Sequence, residues 1–224
     1  MRKLIVANWK AHKNITEARE WLAKFNKEVL PEGVEVVVCP AIPLLKAFEG
    51  VPFKLGVQDI SVFGPGPHTG EVTVEQIKDL VDYVLVGHSE RRQDCGETDE
   101  IVIKKASAVV EAGFTPIVCV SDIKQVKLLA KKALPENSFV LAYEPLDAIS
   151  TAASGHVYEV TKVVDFIKEV RPLLKEVPLI YGGSVTAKNL MPFAREERLA
   201  GVLVGQDSLV TADFLNIIRS YAVC

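Results

Sequence analysis

Along the whole chain, short apolar runs take turns with longer stretches in which apolar residues recur every three or four positions. The first kind reads as buried β-strand, the second as amphipathic helix. Strands are expected at 3–7, 35–39, 53–57, 83–86, 115–120, 138–143, 178–181 and 200–204. Helices are expected between them, at 16–29, 42–48, 74–81, 97–112, 123–133, 157–174, 187–194 and 212–221. Thr16 ahead of Glu17 reads as a helix cap, and Gly33 and Gly113 as glycines just past helix ends. Strict alternation of eight strands with eight helices implies parallel pairing through right-handed crossovers, and such units close into a (β/α)8 barrel. The fold class is therefore α/β, a single (β/α)8 barrel over residues 1–224, with no linker, low-complexity segment or second domain. The rival is a doubly wound open sheet, which often has a Gly-rich first turn. Here the first turn is Ala7-Asn-Trp-Lys-Ala11, without glycine.

A barrel puts chemistry at the C-terminal ends of its strands, and several of these ends carry reactive groups. The run ending at Tyr143 is followed by Glu144, by Pro145, which cannot continue a ladder, and by the small-residue segment 148–155. That is a carboxylate on a rigid collar, ahead of a loop able to act as a lid. On this stretch alone, a solvated strand-end carboxylate is the commoner reading. After the first strand come Asn8 and Lys10, two apart and so on one face if the strand geometry persists. Lys10 either holds an anion or a developing negative charge, or is an ordinary surface lysine. The fourth strand ends in Val86-Gly-His-Ser-Glu-Arg-Arg92, with His88 beside a short turn that starts at Ser89. Taken alone, His88 is balanced between catalysis and structure; His12, His68 and His156 read as surface residues. The seventh and eighth strands lead into Tyr181-Gly-Gly-Ser-Val185 and Val204-Gly-Gln-Asp-Ser208. Backbone N–H groups around Gly183, Ser184, Gly205 and Gln206 form anion nests, at the loops that usually bind phosphate in barrels. Tight turns between strand and helix need glycine in any case, so the structural reading stays open. The Gly/Pro-rich loop 60–70 is long enough to be functional or an interface element.

Composition narrows the class. The chain is 49% hydrophobic and 25% charged, with a net charge of −3, ordinary for a globular protein with a full core. Nothing in the charge pattern points to nucleic acid or a membrane surface, so an anionic substrate needs a local site. The four cysteines, Cys39, Cys95, Cys119 and Cys224, show no CxxC spacing, which argues against a disulfide framework or a zinc site. Cys39 and Cys119 end apolar runs and read as small core residues. With no signal peptide or membrane-length apolar run, a cytoplasmic location is expected.

Four segments, Val6-Ala-Asn-Trp-Lys10, Val86-Gly-His-Ser-Glu-Arg-Arg92, Ala142-Tyr-Glu-Pro145 and Tyr181-Gly-Gly-Ser-Val185, together resemble the signatures of the triosephosphate isomerase family, in that family's order and from end to end of the chain. The resemblance implies interconversion of dihydroxyacetone phosphate and D-glyceraldehyde 3-phosphate through an enediolate, a place in glycolysis and gluconeogenesis, and no cofactor or metal. It implies Glu144 as the base, neutral His88 as the electrophile, Lys10 as the electrostatic stabiliser, Asn8 orienting Lys10, Glu90 pairing with Lys10, and Ser89 helping to position the group. It implies a lid over Pro145, Leu146, Asp147, Ala148, Ile149, Ser150, Thr151, Ala152 and Ala153. The phosphate would be gripped by Ser150, Gly183, Ser184, Gly205 and Gln206. Triose phosphates are then the partners, with a homodimer through the Pro67-His-Thr-Gly-Glu71 loop and a homotetramer as the alternative.

The chain departs from the family pattern in three places. Ser150 and Ala152 stand where the family's lid usually has glycines. If closure needs positive φ at Ser150, the strain is roughly 1–2 kcal/mol, enough to slow closure about tenfold. Gln206 replaces a second glycine after Gly205. The span from Cys119 to Ala142 is short, with Cys119-Val-Ser-Asp122 in place of the usual Cys-(Val/Ile)-Gly-Glu, as in compact archaeal-like members, which tend to be tetramers. The competing reading is a barrel of the same descent with an impaired lid, acting as a weak isomerase or a sugar-phosphate binder.

Overall fold

The computed structural model of the chain describes residues 2–132, 134–150 and 159–222. Eight strands pair in parallel and in chain order: β1 (Lys3–Asn8), β2 (Val34–Cys39), β3 (Lys54–Val57), β4 (Tyr83–Val86), β5 (Thr115–Val120), β6 (Val140–Tyr143), β7 (Leu179–Tyr181) and β8 (Gly201–Val204). The sheet closes where β8 pairs with β1, in the register Leu4 with Gly201 through Ala7 with Val204. Closure depends on Gly201. A Cβ there would lie 1.7 Å from the Leu4 carbonyl oxygen.

The strands are apolar along their length because both faces are buried. Inward-facing Leu4, Val6, Val37, Cys39, Leu85, Ile117, Cys119, Ala142, Ile180 and Leu203 fill the barrel. Their outward neighbours, among them Ile5, Val36, Val38, Val84, Val118, Leu141 and Val202, join the larger core beneath the helices. Helix α1 (Ile15–Phe25) shows how that layer attaches. Ala18, Trp21, Leu22 and Phe25 recur at helical spacing on its buried face. Trp21 stacks on Phe25 with ring centroids 4.6 Å apart, and its indole N–H donates to the Ser208 carbonyl at 3.1 Å. The helix begins with Asn14 and Glu17 in a reciprocal capping box, so the cap is Asn14 and not Thr16.

The other helices are α2 (Ser89–Cys95), α3 (Asp99–Glu111), α4 (Ile123–Lys131), α5 (Leu146–Ser150), α6 (Val160–Val170), α7 (Met191–Ala194) and α8 (Thr211–Ala222). Several differ from the sequence expectation. Residues 42–48 form a 3-10 helix with a proline in its first turn. The expected helix at 74–81 reduces to a 3-10 turn at Val74–Ile77, because Lys78 is extended and Asp79 left-handed, with φ 68°. At 187–194 only α7 is helical. Thr186 and Asn189 exchange side-chain-to-backbone hydrogen bonds, which compete with helix formation. The helix expected from 97 begins at Asp99, and a separate helix, α2, precedes it. Gly96, with φ 66°, ends α2, and Thr98 caps α3 through its hydroxyl. Gly113 follows α3 with φ 85°, as expected. Gly33 lies well past α1 in the approach to β2, where its carbonyl accepts from the Lys3 N–H. The helix expected at 157–174 is α6, which starts at Val160 behind Glu159 and ends at Val170; His156 and the first two expected helix residues lie outside the described residues.

Candidate active site

At the tip of β1, Asn8 is buried and its Oδ1 accepts the backbone N–H of Lys10 at 3.1 Å. That bond closes a tight turn in which Lys10 adopts φ 51°. Strand geometry therefore does not persist to Lys10, and the expectation of a shared strand face is corrected. A left-handed non-glycine residue costs roughly 1–2 kcal/mol and persists only where its surroundings fix it. Gln58 helps to do so, donating from Nε2 to the Lys10 carbonyl at 2.8 Å and to the Cys39 carbonyl at 3.0 Å. The turn delivers the Lys10 ammonium to Glu90 Oε1 at 2.5 Å and its stem beside Gly205, where a Cβ would lie 3.8 Å from Lys10 Cε.

At the tip of β4, Gly87 turns the chain with φ 69° and His88 becomes the N-cap of α2. The short turn expected from Ser89 is the first turn of α2, which sets a helix N-terminus beside the imidazole. The backbone N–H of Glu90 donates to His88 Nδ1 at 3.2 Å. A nitrogen that accepts carries no proton, so the neutral ring keeps its proton on Nε2. Nε2 lies 3.3 Å from Glu144 Oε1.

At the tip of β6, Glu144 is 1% exposed. Its backbone N–H donates to the Val120 carbonyl at 2.8 Å, and its Oε2 accepts the Ser89 N–H at 3.2 Å. Oε1 is buried, and its approach to His88 Nε2 falls short of hydrogen-bond geometry. Gly182 lies against this side chain; a Cβ there would stand 3.0 Å from Glu144 Cγ and 3.5 Å from Oε1. Cys119 faces the same carboxylate. Burial, followed by the nearby Glu144 charge, pushes its thiol well above the ordinary thiol range. Sequence reasoning assigned Cys119 only a core role. Its inward parity with Ile117, two positions earlier on β5, was the available signal.

Around this centre lies a rigid frame. Lys105, buried on α3, holds Glu97 Oε1 at 2.6 Å and Asp59 Oδ1 at 2.7 Å. Arg91 reaches the same two carboxylates at 2.9 and 2.8 Å. Burial raises the Asp59 carboxyl above its usual range despite Lys105. For Glu97, burial is outweighed by Lys105 and Arg91, which hold it below that range.

The turns after β7 and β8 stand beside the carboxylate and the lysine respectively. Ser184 takes φ 47°, and its hydroxyl donates to the Ala148 carbonyl at 2.9 Å, tying the turn to α5. Gly183 leaves no room for a side chain, with Tyr181 Oη 2.2 Å and Ala148 Cβ 2.9 Å from where its Cβ would be. Gly205 begins a 3-10 turn, Gln206–Leu209, in which Gln206 is exposed and the Ser208 hydroxyl donates to the Gly205 carbonyl at 2.6 Å. In the expected lid, Pro145 is buried and Leu146–Ser150 form the helical turn α5, with Leu146 exposed. Asp147 is exposed and lies 3.8 Å from Lys162. Ile149 and Ser150 complete that turn, while Thr151, Ala152 and Ala153 lie outside the described residues. The structure thus gathers Asn8, Lys10, His88, Glu90 and Glu144 at one end of the barrel. A cleft of about 800 Å³, lined by Phe48, Phe53 and Leu80, lies before β3 and β4 at the opposite end, away from these groups.

Comparison with known proteins identifies the family. The family model described as Triosephosphate isomerase matches residues 3–221. The chain is 35% identical over 248 residues to the triosephosphate isomerase of Aquifex aeolicus, covering 99% of this chain and 100% of that protein. It is 37% identical over 247 residues to that of Alkaliphilus oremlandii, covering 98% and 100%, and 35% identical over 249 residues to that of Xanthomonas oryzae pv. oryzae, covering 100% and 99%. With the match running through every strand of the barrel, the chain belongs to the triosephosphate isomerase family of enzymes.

Proposed function

We propose that the chain interconverts dihydroxyacetone phosphate and D-glyceraldehyde 3-phosphate with Glu144 as the base. The observation that carries this reading is the buried Glu144 Oε1 set 3.3 Å from His88 Nε2, in a ring whose Nδ1 accepts the Glu90 N–H. Glu144 takes the proton on the carbon next to the carbonyl, leaving the electron pair to form the enediolate. His88 Nε2–H polarises the carbonyl oxygen and passes a proton between the two oxygens. Glu144 returns its proton to the neighbouring carbon. A proton of this kind is weakly acidic, so the oxyanion needs stabilisation as it forms. Lys10 supplies the positive charge, with its ammonium paired to Glu90 until substrate arrives. The backbone N–H groups of Gly183, Ser184, Gly205 and Gln206, with those of the lid around Ser150, receive the phosphate. Closure of residues 145–153 excludes water and holds the phosphate in plane, which suppresses its expulsion.

The exposed Phe63, stacked on His68 with centroids 4.2 Å apart, supports the Pro67-His-Thr-Gly-Glu71 loop as the contact of a homodimer, with a homotetramer as the alternative. Family membership supports a role in glycolysis and gluconeogenesis and a cytoplasmic location. Among the described residues no helix is long and apolar enough to cross a membrane.

The test is a coupled assay of glyceraldehyde 3-phosphate conversion in which inorganic phosphate and methylglyoxal are counted in parallel. Fast isomerisation with little phosphate is the expected result. Glu144→Asp withdraws the carboxylate by about one methylene and should cut turnover at least a hundredfold; near-normal turnover would remove Glu144 from the role of base. Slow isomerisation with abundant phosphate in the unaltered chain would favour the impaired-lid reading.

A further inference from the structure

One guanidinium grips the backbone beside both reacting side chains without touching either reacting atom. Arg92, on α2 and mostly buried, donates from Nε to the Gly87 carbonyl at 2.8 Å, from Nη1 to Asp99 Oδ1 at 2.6 Å, and from Nη2 to the Cys119 carbonyl at 3.3 Å. The Gly87 carbonyl belongs to the peptide that leads directly into His88. The Cys119 carbonyl belongs to the residue whose thiol faces Glu144 and whose chain neighbour, Val120, accepts the Glu144 N–H. The last register pair of β4 with β5 is Val86 with Val118. Beyond it Gly87 leaves the sheet with φ 69°, and Arg92 bridges the two strand ends where the ladder stops. Gly87 also makes room for the bridge. A Cβ there would lie 2.7 Å from both Val102 methyl carbons and 3.1 Å from Arg92 Nη2. Asp99, in the first turn of α3, fixes the plane of the guanidinium from behind.

We infer that Arg92 is a positioning residue that sets the reach of His88 to Glu144, an inference that rests on the assignment of isomerisation to that pair. The planar fork satisfies three acceptors in three directions at once, and an ammonium at the same place carries the charge without that geometry. Loss of the fork frees the Gly87–His88 peptide to rotate. The imidazole then swings about its Cα, and the 3.3 Å approach of Nε2 to Oε1 is no longer enforced. Lys10 and the phosphate turns lie on other strands, so substrate binding is untouched.

The test is Arg92→Lys in two backgrounds, the unaltered chain and His88→Gln, with kcat and KM for glyceraldehyde 3-phosphate measured in each and folding checked by circular dichroism. In the unaltered chain kcat should fall by about tenfold to a hundredfold, as for an ångström-scale misplacement, with KM within twofold. In His88→Gln the same change should cost less than twofold, because the group it positions is already gone. Nitrogen-15 spectra of the His88 ring should lose the signature of a hydrogen-bonded, unprotonated Nδ1 in Arg92→Lys. A kcat within twofold of the unaltered chain, or an equal loss in both backgrounds, would overturn the inference. Should Arg92→Lys not fold, Asp99→Asn replaces it in the same cycle. It keeps the guanidinium but loosens its orientation, and a loss of about threefold confined to the His88 background is expected; a loss shared by both backgrounds, or none, would overturn it equally. A His88→Gln variant with full activity would instead overturn the role of His88 itself.

Discussion

Replacing Gly182 with alanine probes the base without altering any of its polar partners. The new Cβ would stand 3.0 Å from Glu144 Cγ, 3.5 Å from Oε1 and 3.5 Å from the Tyr143 carbonyl oxygen. Gly182 is absent from the positive-φ glycines, so alanine suffers no backbone strain there and the conflict is with the carboxylate stem. Carbon atoms rest at about 3.5–4.0 Å, so the stem must retreat by about 0.5 Å. If a full ångström of misplacement costs about a hundredfold, half of it costs about tenfold in kcat, close to 1.4 kcal/mol of barrier. KM should stay within twofold, because the role proposed for the displaced group is on a proton and not on the phosphate. The assay is initial-rate isomerisation in both directions, with thermal unfolding as the control. A folded variant with unchanged kcat would refute the idea that Gly182 sets the position of the base. A lower kcat with a proportionate rise in KM would place the damage in the phosphate turn instead.

Lys10→Met should lower kcat by at least a hundredfold and raise KM, since the proposed function gives its ammonium both the developing oxyanion and the phosphate; retention of either constant would divide those roles. Gly201→Ala should cost more than about 4 kcal/mol or abolish folding, because its Cβ would collide with the Leu4 backbone, and a soluble variant of near-normal melting temperature would contradict the close approach of β8 to β1. Burial alone raises the Cys39 thiol, and burial with the Glu144 charge raises that of Cys119. Their contribution to stability is therefore whole below about pH 8.5, where unfolded thiols ionise, and falls above it by about 1.4 kcal/mol per thiol per pH unit. Urea unfolding from pH 7.5 to 10 should show that slope, and Cys39→Ala should reduce it. Ser150→Gly should raise isomerisation or lower phosphate release in the parallel assay; no change in either would mean that the serine closes without strain.

Every strand of the barrel was legible because a parallel strand covered on both faces must be apolar at successive positions. Val34-Glu-Val-Val-Val-Cys39 allows few other readings. Helices were less legible where polar side chains could serve the backbone themselves. Nothing in the apolar spacing of 187–194 reveals that Asn189 and Thr186 bond to each other's backbone. At the site, Glu144, His88 and Asn8 could be found from strand ends and motifs, since a reactive side chain just past a strand is placed by the fold. The direction of Lys10 could not be read, because lysine has no preference for the left-handed conformation that Asn8 and Gln58 impose on it. Cys119 was hidden for the opposite reason: a thiol at the end of an apolar run is indistinguishable from core filling until its neighbour at the tip of the adjacent strand is known.

The seam between β8 and β1 has a consequence for biosynthesis. The Lys3 ammonium bonds to the Leu199 carbonyl, 196 positions along the chain, and Leu4 pairs with Gly201. Of the eight barrel strands, β1 is therefore made before the others and must wait for β8 before one of its edges is covered. Throughout synthesis β1 through β7 form at most an open sheet with two exposed edges, the condition most prone to pairing with a neighbouring nascent chain. The completing event is a long-range closure that needs β8, and until it happens the open sheet edges, which a finished barrel abolishes, are the part of this chain most exposed to mispairing.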